Sequence, residues 1–270
     1  MTINPQEMAR EKEVQLIKLL RSYKKVLVAF SGGVDSTYLL AVAQESLGQN
    51  CQAVFARGPM ISNQEEKEAL ALVQQCNFPV QVINFDVLDL QEFRNNPPNR
   101  CYFCKKKLFE TFIEWNKSKD NATVIEGTNA SDSQDYRPGR IALQELGIIS
   151  PLLEAGLTKD EIRTLSKLRN LPTWNKPSMA CLASRVPYGD VINGELLQRI
   201  ALAEAILQQK GYLECRVRAH GEIARIEIPI NSFSKCLQEH AEITAPLLEL
   251  GFRFVTLDLM GLRSGSLNPI

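Results

Sequence analysis

Short apolar runs alternate with helically spaced apolar positions over the first two thirds of the chain. The runs predict buried strands, and they lie at 26–30, 52–56, 80–85 and 123–126. Apolar residues spaced for one helical face predict helices, and these lie up to about Tyr23 and over 37–43, 63–76 and 105–116. Because strand and helix alternate, we predict a parallel sheet with helices on both faces.

The pattern changes after about Tyr188. A long predicted helix, 195–210, is closed by Gly211 and followed by strands at 215–218 and 224–228, a helix, and a strand at 253–259. This order is typical of a small α+β domain. We therefore predict an α/β chain with a parallel-sheet domain at 1–186 and a smaller α+β domain at 187–270.

A Ser-Gly-Gly-Val-Asp-Ser loop directly follows the first predicted strand and opens the next helix. At such a turn the backbone N–H groups of Gly32 and Gly33 can surround an anion, assisted by the positive end of the helix. Ser31 and Ser36 can donate further hydrogen bonds, and Asp35 is placed to hold Mg²⁺ on phosphate oxygens. A capped glycine turn is the alternative, but all six residues in this context favour phosphate binding. The common P-loop is excluded because no lysine follows the glycines.

The net charge and the hydropathy of the chain limit the kinds of partner that the protein can bind. The 270 residues contain 31 Lys and Arg against 31 Asp and Glu, so no overall field attracts the protein to nucleic acid or to an anionic membrane. No apolar stretch approaches the ~20 residues that span a bilayer, and the N-terminus has the pattern of a charged helix. We expect a cytoplasmic protein with neither a nucleic-acid nor a membrane partner.

The seven cysteines have no regular short spacing, which argues against a disulfide framework. Cys101 and Cys104 form a CxxC pair at the start of a predicted helix, and Cys181 lies in a later loop. These three cysteines could have one of three roles. A structural zinc site would need a fourth ligand, and a redox disulfide usually belongs to another fold. In a cubane iron–sulfur cluster, three thiolates would leave one iron without a protein ligand. Spacing alone leaves these alternatives open. The remaining cysteines have the pattern of small buried residues, and they are Cys51, Cys76, Cys215 and Cys236.

The Ser-Gly-Gly-Val-Asp-Ser loop resembles the pyrophosphate loop of the ATP pyrophosphatase (PP-loop) superfamily. Longer stretches resemble one of its families, the LarE sulfur transferases, and together they extend over nearly the whole chain. These stretches are 126–132, 135–140, 157–163, 176–189, 216–218 and 258–265. Asp-Tyr-Arg-Pro-Gly and Ala-Cys-Leu-Ala-Ser-Arg carry the family-level similarity. One departure is Asn175, which stands before Lys176-Pro177 where the family leads us to expect an acidic residue.

The resemblance implies an enzyme of nickel-pincer nucleotide cofactor biosynthesis. Such an enzyme uses MgATP to adenylate a carboxylate of pyridinium-3,5-biscarboxylic acid mononucleotide and then installs sulfur as a thiocarboxylate. One branch of the family sacrifices the sulfur of a single cysteine, and another uses three cysteines that carry a [4Fe–4S] cluster with an open iron. Because this chain has Cys101, Cys104 and Cys181, it is similar to the second branch.

The resemblance also implies roles for further residues. The nucleotide would be lined by Gly127, Thr128 and Asn129, and Ser184 and Arg185 would lie near the sulfur donor. The substrate's phosphate or second carboxylate would bind Arg216, Arg218 and Arg263, although an exposed, solvated face is the alternative for any such arginine pair. Glu204 is a weaker candidate for an acidic role, since a solvated helical glutamate is the simpler interpretation. Family members form homo-oligomers, and the protein that supplies the sulfur is unknown from sequence.

Other functions stay open at this level. A PP-loop tRNA thiolation enzyme is the nearest, and the neutral net charge argues against it. An amidotransferase such as NAD or GMP synthetase would not need three cysteines at one site. A nucleotide-binding or iron-sensing module would bind ATP or a cluster without releasing pyrophosphate, and in a zinc-stapled enzyme the cysteines would only hold loops together.

Overall fold

The computed structural model describes residues 5–119, 121–134, 138–177, 180–263 and 265–267, and for residues 133 and 134 it describes the backbone alone. The helices are α1 (Pro5–Tyr23), α2 (Val34–Leu47), α3 (Asn63–Gln75), α4 (Gln91–Arg94), α5 (Arg100–Lys117), α6 (Pro138–Glu145), α7 (Pro151–Glu154), α8 (Lys159–Leu168), α9 (Gly194–Gln209), α10 (Phe233–Gln238) and α11 (His240–Glu249). The strands are β1 (Val26–Ala29), β2 (Cys51–Arg57), β3 (Val80–Asn84), β4 (Thr123–Ile125), β5 (Arg216–His220), β6 (Ile223–Glu227) and β7 (Phe254–Leu257). The predicted α/β class is confirmed.

Contacts divide the described residues into two compact units. The first unit takes in the described parts of 1–58, 65–87 and 101–178, and the second takes in those of 59–64, 88–100 and 179–270. Two short segments from the first third of the chain therefore belong with the C-terminal residues. The division at 186/187 stays a prediction.

The first unit is built on a parallel sheet with strand order β3-β2-β1-β4, as the alternation of strand and helix predicts. Leu27 on β1 belongs to a buried cluster with Phe109 and Phe112 of α5. Side chains alternate along a strand, so Val26 and Val28 point to the opposite face. Both are fully buried. Each face of the central strand is therefore covered.

The third strand departs from the expectation of a buried strand. β3 lies at the edge of the sheet, next to β2 alone, and the side chain of Val82 is 39% exposed. An edge strand has a neighbour on one side only, so less of its surface is covered. The apolar run indicated the strand correctly but could not indicate its place in the sheet.

The two longest helices are α1 and α5, and both carry polar side chains. α5 begins at Arg100, five residues before the predicted 105, so the CxxC pair lies inside its first two turns. α1 has 19 residues and carries charged side chains along its length. Within the described ranges, none of the helices combines the length and apolar character needed to cross a membrane.

The second unit is the smaller α+β domain that the sequence predicts. Its sheet has the order β5-β6-β7, with β5 and β6 antiparallel and β6 and β7 parallel. α9 starts after Asn193, whose Oδ1 accepts a hydrogen bond from the backbone N–H of Leu196 at 2.8 Å. It ends just before Gly211, whose φ of +90° a residue with a side chain rarely adopts.

Candidate functional site

The glycine loop occupies the turn between β1 and α2 at the carboxyl end of the central strand, where ligands bind in parallel sheets. Gly32 has φ +72°, and a Cβ atom there would lie 2.8 Å from the Cβ of Ala69. Only glycine fits this position without displacing α3. Gly33 is the N-cap of α2 and no side chain caps the helix, which leaves its N-terminus suited to an anion.

The two serines of the loop hold the turn in shape. Ser31 Oγ and Ser36 Oγ are 3.0 Å apart, and the backbone N–H of Ser31 donates to Ser36 Oγ at 3.2 Å. Ser36 is buried and Ser31 is exposed. Ser31 is therefore the more accessible of the two hydroxyls, and Ser36 also stabilises the turn through its contacts with Ser31.

Asp35 lies in the first turn of α2, where its Oδ2 accepts a hydrogen bond from Nζ of Lys159 at 2.5 Å. Its Oδ1 is buried and has no hydrogen-bond partner. Burial raises the pKa of Asp35 above its ordinary value, although the ammonium of Lys159 acts in the opposite direction. A buried carboxylate oxygen without a partner fits a Mg²⁺ ligand. Sequence reasoning assigned Lys159 no role, although it lies in the family-like segment 157–163.

The loop after β4 lies against the glycine loop. A Cβ atom on Gly127 would lie 3.1 Å from the backbone N of Ser36 and 3.3 Å from Cβ of Asp35, so glycine allows the two loops to touch. Thr128 and Asn129 are buried. The N–H of Thr128 donates to Oε1 of Glu126 at 2.9 Å, and Oδ1 of Asn129 accepts from the N–H of Ser131 at 2.9 Å. The structure thus brings 127–129 and the glycine loop together, and their contact with a nucleotide stays a prediction.

Cys51, Cys215 and Cys236 are buried, as predicted, but Cys76 is half-buried, so the prediction is wrong for that residue. Cys101 and Cys181 are exposed and Cys104 is half-buried, and none of the three forms a disulfide. Cys101 and Cys104 are three residues apart on α5, hence on one side of the helix, whereas Cys181 belongs to the second unit. Burial raises the pKa of the Cys51 and Cys215 thiols to about 12, as suits packing residues. Neither unit, over the residues described, assembles three or more His, Cys, Asp or Glu side chains as a metal-binding group.

Arg185 and Glu204 form a buried ion pair in the second unit. Arg185 Nε and Nη2 donate to the two carboxylate oxygens of Glu204 at 2.9 and 3.1 Å, and both side chains are nearly inaccessible. Arg185 Nη1 donates to the carbonyl oxygen of Cys181 at 3.1 Å and to Ser184 Oγ at 3.0 Å. Glu204 also accepts from the N–H of Val217 at 3.0 Å. The interpretation of Glu204 as a solvated helical residue is therefore wrong, and the pair fixes the loop that carries Cys181.

The arginine cluster of the second unit consists of Arg216, Arg218, Arg225 and Arg263. Arg218 is only 2% exposed and bonds Glu227 at 2.9 Å, so the solvated-face alternative is wrong for this residue. Arg225 forms an ion pair with Glu227, and Arg225 and Arg263 each form an ion pair with Asp258. Arg216 donates a hydrogen bond to the carbonyl oxygen of Arg263. Burial and the neighbouring Arg218 lower the pKa of Arg216. Four cations share two carboxylates, which leaves a local positive excess suited to an anion.

Several residues of the family-like stretches belong to none of the groups described above. Asn175 is exposed in a turn of the first unit, and its neighbour Lys176 forms an ion pair with Glu68 at 3.2 Å. Six further residues of the family-like stretches lie outside the described residues, and they are Asp135, Tyr136, Arg137, Ser178, Met179 and Ser264.

Comparison with known proteins covers both units. The NAD synthase family model matches residues 11–99, which include β1, the glycine loop and α2. The chain is 36% identical over 258 residues to pyridinium-3,5-bisthiocarboxylic acid mononucleotide synthase of Lactiplantibacillus plantarum, covering 95% of this chain and 94% of that protein. It is 40% identical over 248 residues to an uncharacterized Synechocystis protein, covering 91% and 92% of the two chains. An uncharacterized protein of Methanocaldococcus jannaschii is 31% identical over 241 residues, with 89% and 92% covered.

Replacing Gly32 by alanine is expected to damage the glycine loop. The positive φ and the clash with Ala69 together should lower the free energy of unfolding by about 2 kcal/mol or more. Gly156→Ala is the matched control, because its φ of +69° is similar but its surroundings are open, so about 1 kcal/mol is expected. Denaturant unfolding of both variants measures the difference. Equal losses would show that the contact with α3 does not constrain the loop.

Glu227 should make the second unit sensitive to acid. Burial raises its pKa, but hydrogen bonds from Arg218 and Ser266 and the charge of Arg218 outweigh burial and hold the pKa below its ordinary value. A carboxyl whose pKa is lower in the folded state stabilises the protein above its unfolded-state pKa and loses that contribution as the pH falls through the folded-state value. We expect Glu227→Gln to lower the free energy of unfolding by about 3 kcal/mol at pH 7.

The difference between wild type and Glu227→Gln should begin to shrink as the pH falls below the unfolded-state glutamate pKa of about 4.3, and should continue to shrink as the pH falls through the lower folded-state pKa. Denaturant titrations at pH 7 and in this acid range provide the measurement. Glu222→Gln is the control, because the pair of Glu222 with Arg253 is exposed and should contribute little. A Glu227→Gln deficit that stayed constant with pH would contradict the assignment.

Proposed function

This chain belongs to the LarE family of sulfur-transferring enzymes, and from that membership we propose that it is an ATP-dependent sulfurtransferase acting on pyridinium-3,5-biscarboxylic acid mononucleotide. The observation that carries the proposal is the 36% identity to the Lactiplantibacillus synthase over 95% of the chain. That similarity includes both units, whereas the NAD synthase match ends at residue 99 and concerns the ATP-binding half. The product would be a thiocarboxylate on the same nucleotide.

The chemistry requires activation of the carboxylate. A carboxylate is a poor electrophile, so a carboxylate oxygen first attacks the α-phosphorus of ATP and pyrophosphate leaves with the electron pair of the broken P–O bond. In the resulting acyl adenylate the leaving group is AMP. A sulfur nucleophile then forms the C–S bond while the C–O bond to AMP breaks. The protein must therefore hold pyrophosphate, adenosine and the pyridinium nucleotide in fixed positions.

The glycine loop and the loop 127–129 would hold ATP. We assign Ser31, Gly32, Gly33 and Ser36 to the pyrophosphate, and the loop of Gly127, Thr128 and Asn129 to the rest of ATP. The support is the close approach of Gly127 to Asp35 and Ser36, together with the uncapped N-terminus of α2. Asp35 would hold Mg²⁺ through its unpartnered Oδ1, and Mg²⁺ supplies positive charge for the phosphate oxygens.

The arginine cluster would bind the pyridinium nucleotide. Arg216, Arg218 and Arg263 are assigned to its phosphate or second carboxylate, and the excess of arginines over carboxylates supports this assignment. Ser184 and Arg185 lie beside Cys181, where Arg185 positions the loop by donating to the carbonyl oxygen of Cys181 and to Ser184 Oγ. A homo-oligomer in the cytoplasm is part of the same proposal and rests on the family resemblance alone.

Cys101, Cys104 and Cys181 are the proposed sulfur centre. None of the three forms a disulfide and none is fully buried, so their donor chemistry fits a [4Fe–4S] cluster. Cys101, Cys104 and Cys181 would hold the cluster through their thiolates, and the cluster would supply sulfide as the nucleophile from the iron that lacks a protein ligand.

Replacing Cys101 by alanine tests the cluster. Wild-type protein purified without oxygen should show a broad absorbance near ~400 nm with bound iron and sulfide, and Cys101→Ala should lose all three. Cys76→Ala is the control, since Cys76 is half-buried in the first unit and has no part in the proposal. A colourless, iron-free wild type after anaerobic reconstitution would rule out the cluster and leave a sacrificial Cys181 or a persulfide relay.

Replacing Cys181 by alanine separates adenylation from sulfur transfer. We expect Cys181→Ala to release pyrophosphate from ATP when the pyridinium substrate is present but to form no thiocarboxylate. Pyrophosphate release and mass spectrometry of the nucleotide measure the two steps. Loss of both steps would give Cys181 a structural role, and a wild type that thiolated tRNA instead of the pyridinium nucleotide would contradict the proposed function.

A further inference from the structure

A buried carboxylate lies at the base of the loop 127–129. Glu126 directly follows β4 and is only 7% exposed. Its backbone N–H donates to the carbonyl oxygen of Ile149 at 3.0 Å, so its main chain is held to the neighbouring segment. Burying a carboxylate costs free energy unless its oxygens find partners. The partners of Glu126 therefore indicate what its charge does.

Three donors converge on this carboxylate. Its Oε1 accepts hydrogen bonds from the backbone N–H of Thr128 at 2.9 Å and from Oγ of Ser150 at 2.5 Å. Its Oε2 lies 3.7 Å from Nζ of Lys105. These donors belong to the loop itself, to the residue before α7 and to α5. One side chain thus joins the loop 127–129 to two other elements of the first unit.

The bond to Thr128 constrains the glycine of the loop. It runs from the side chain of Glu126 to the N–H two residues later, and Gly127 is enclosed between the two. Glycine adopts many backbone conformations, yet here it must lie flat against the glycine loop, where a Cβ atom would be 3.1 Å from the backbone N of Ser36. We propose that Glu126 is a positioning residue, which holds the loop 127–129 in the shape that binds the AMP part of ATP. This inference rests on the proposed function.

Lys105 reaches the carboxylate from the second turn of α5. Its stem passes Gly139 of α6, where a Cβ atom would lie 2.8 Å from Cδ of Lys105, so glycine leaves room for the lysine. The next residue, Lys106, pairs instead with Glu145 at 3.2 Å, and those two side chains are 39% and 45% exposed. Adjacent positions of α5 therefore form one pair with a buried carboxylate and one exposed pair.

The charge of Lys105 makes Glu126 compatible with a nucleotide. A lone carboxylate two residues from a loop that binds ATP would repel the phosphates. The ammonium places an opposite charge beside it, and both remaining donors are neutral groups that fix its direction. Loss of the ammonium would leave a buried negative charge only partly compensated.

AMP is the probe for this inference. We expect Glu126→Ala to weaken AMP binding about tenfold or more and Glu126→Gln about threefold, because the amide oxygen can still accept from Thr128 but the charge is lost. Pyrophosphate binding should stay at the wild-type value, since Ser31 and Ser36 hold the glycine loop through their own bonds. Glu145→Gln is the matched control and should bind AMP as wild type does. Titration calorimetry gives each affinity, and thermal unfolding confirms that each variant is folded.

A double variant tests whether Lys105 acts through Glu126. Lys105→Met should weaken AMP binding about threefold, whereas Lys106→Met should have no effect. Combining Lys105→Met with Glu126→Ala should bind AMP no more weakly than Glu126→Ala alone, because both changes break one connected network. Additive losses would overturn this link, since they would mean that Lys105 contacts the nucleotide independently.

Wild-type AMP affinity in both Glu126 variants would overturn the inference. An equal loss of AMP and pyrophosphate affinity would also overturn it, because Glu126 would then support the whole unit and not the loop 127–129. Absence of AMP binding by the wild type would do the same. Failure of the proposed function gives a different result, in which AMP binding still depends on Glu126 but the wild type does not thiolate the pyridinium nucleotide.

Discussion

Parallel pairing of β1 with β4 is the constraint on which the proposed ATP site depends. The register sets Val26 opposite Thr123 and Val28 opposite Ile125, so the two strands end at the same level of the sheet. The glycine loop and the loop 127–129 therefore start side by side, although about a hundred residues separate them. Glycine at position 127 then allows contact between the two backbones, which a side chain would prevent.

Local clusters of charge, and not the net charge of the chain, can attract charged ligands to this protein. With equal numbers of acidic and basic residues, the chain as a whole attracts neither sign of ligand. The first unit instead gathers two helix N-termini, Lys159 and the carboxylate of Asp35 near the end of β1. The second unit gathers the arginine cluster around Glu227 and Asp258. Both places carry the positive character that suits the phosphates and carboxylates of the proposed substrates.

The buried ion pairs of the second unit orient functional groups more than they add stability. Removing charged groups from water costs several kcal/mol for each ion, and a paired geometry only about offsets this cost. The bidentate bond between Arg185 and Glu204 nevertheless gives Arg185 one orientation, in which it holds the carbonyl oxygen of Cys181. Glu227 similarly orients Arg218 and Arg225. Arginines that sequence assigns to substrate binding are thus partly engaged in shaping the site.

Sequence by itself determined the strand–glycine turn–helix unit, the parallel α/β sheet and the smaller α+β domain. These features depend on short-range periodicity and on the conformational freedom of glycine, and both can be read within a few residues. It also indicated Cys51, Cys215 and Cys236 as buried packing residues, because they lie in strand or helix patterns.

Only the tertiary structure decided that β3 is an exposed edge, that Glu204 is buried against Arg185 and that Lys159 reaches Asp35. The physical reason is that each depends on packing between elements far apart in sequence. A lysine at the start of an amphipathic helix has the pattern of a solvated residue, and nothing local indicates that a carboxylate 124 positions away is its partner. Burial and pairing of charge are properties of the folded chain.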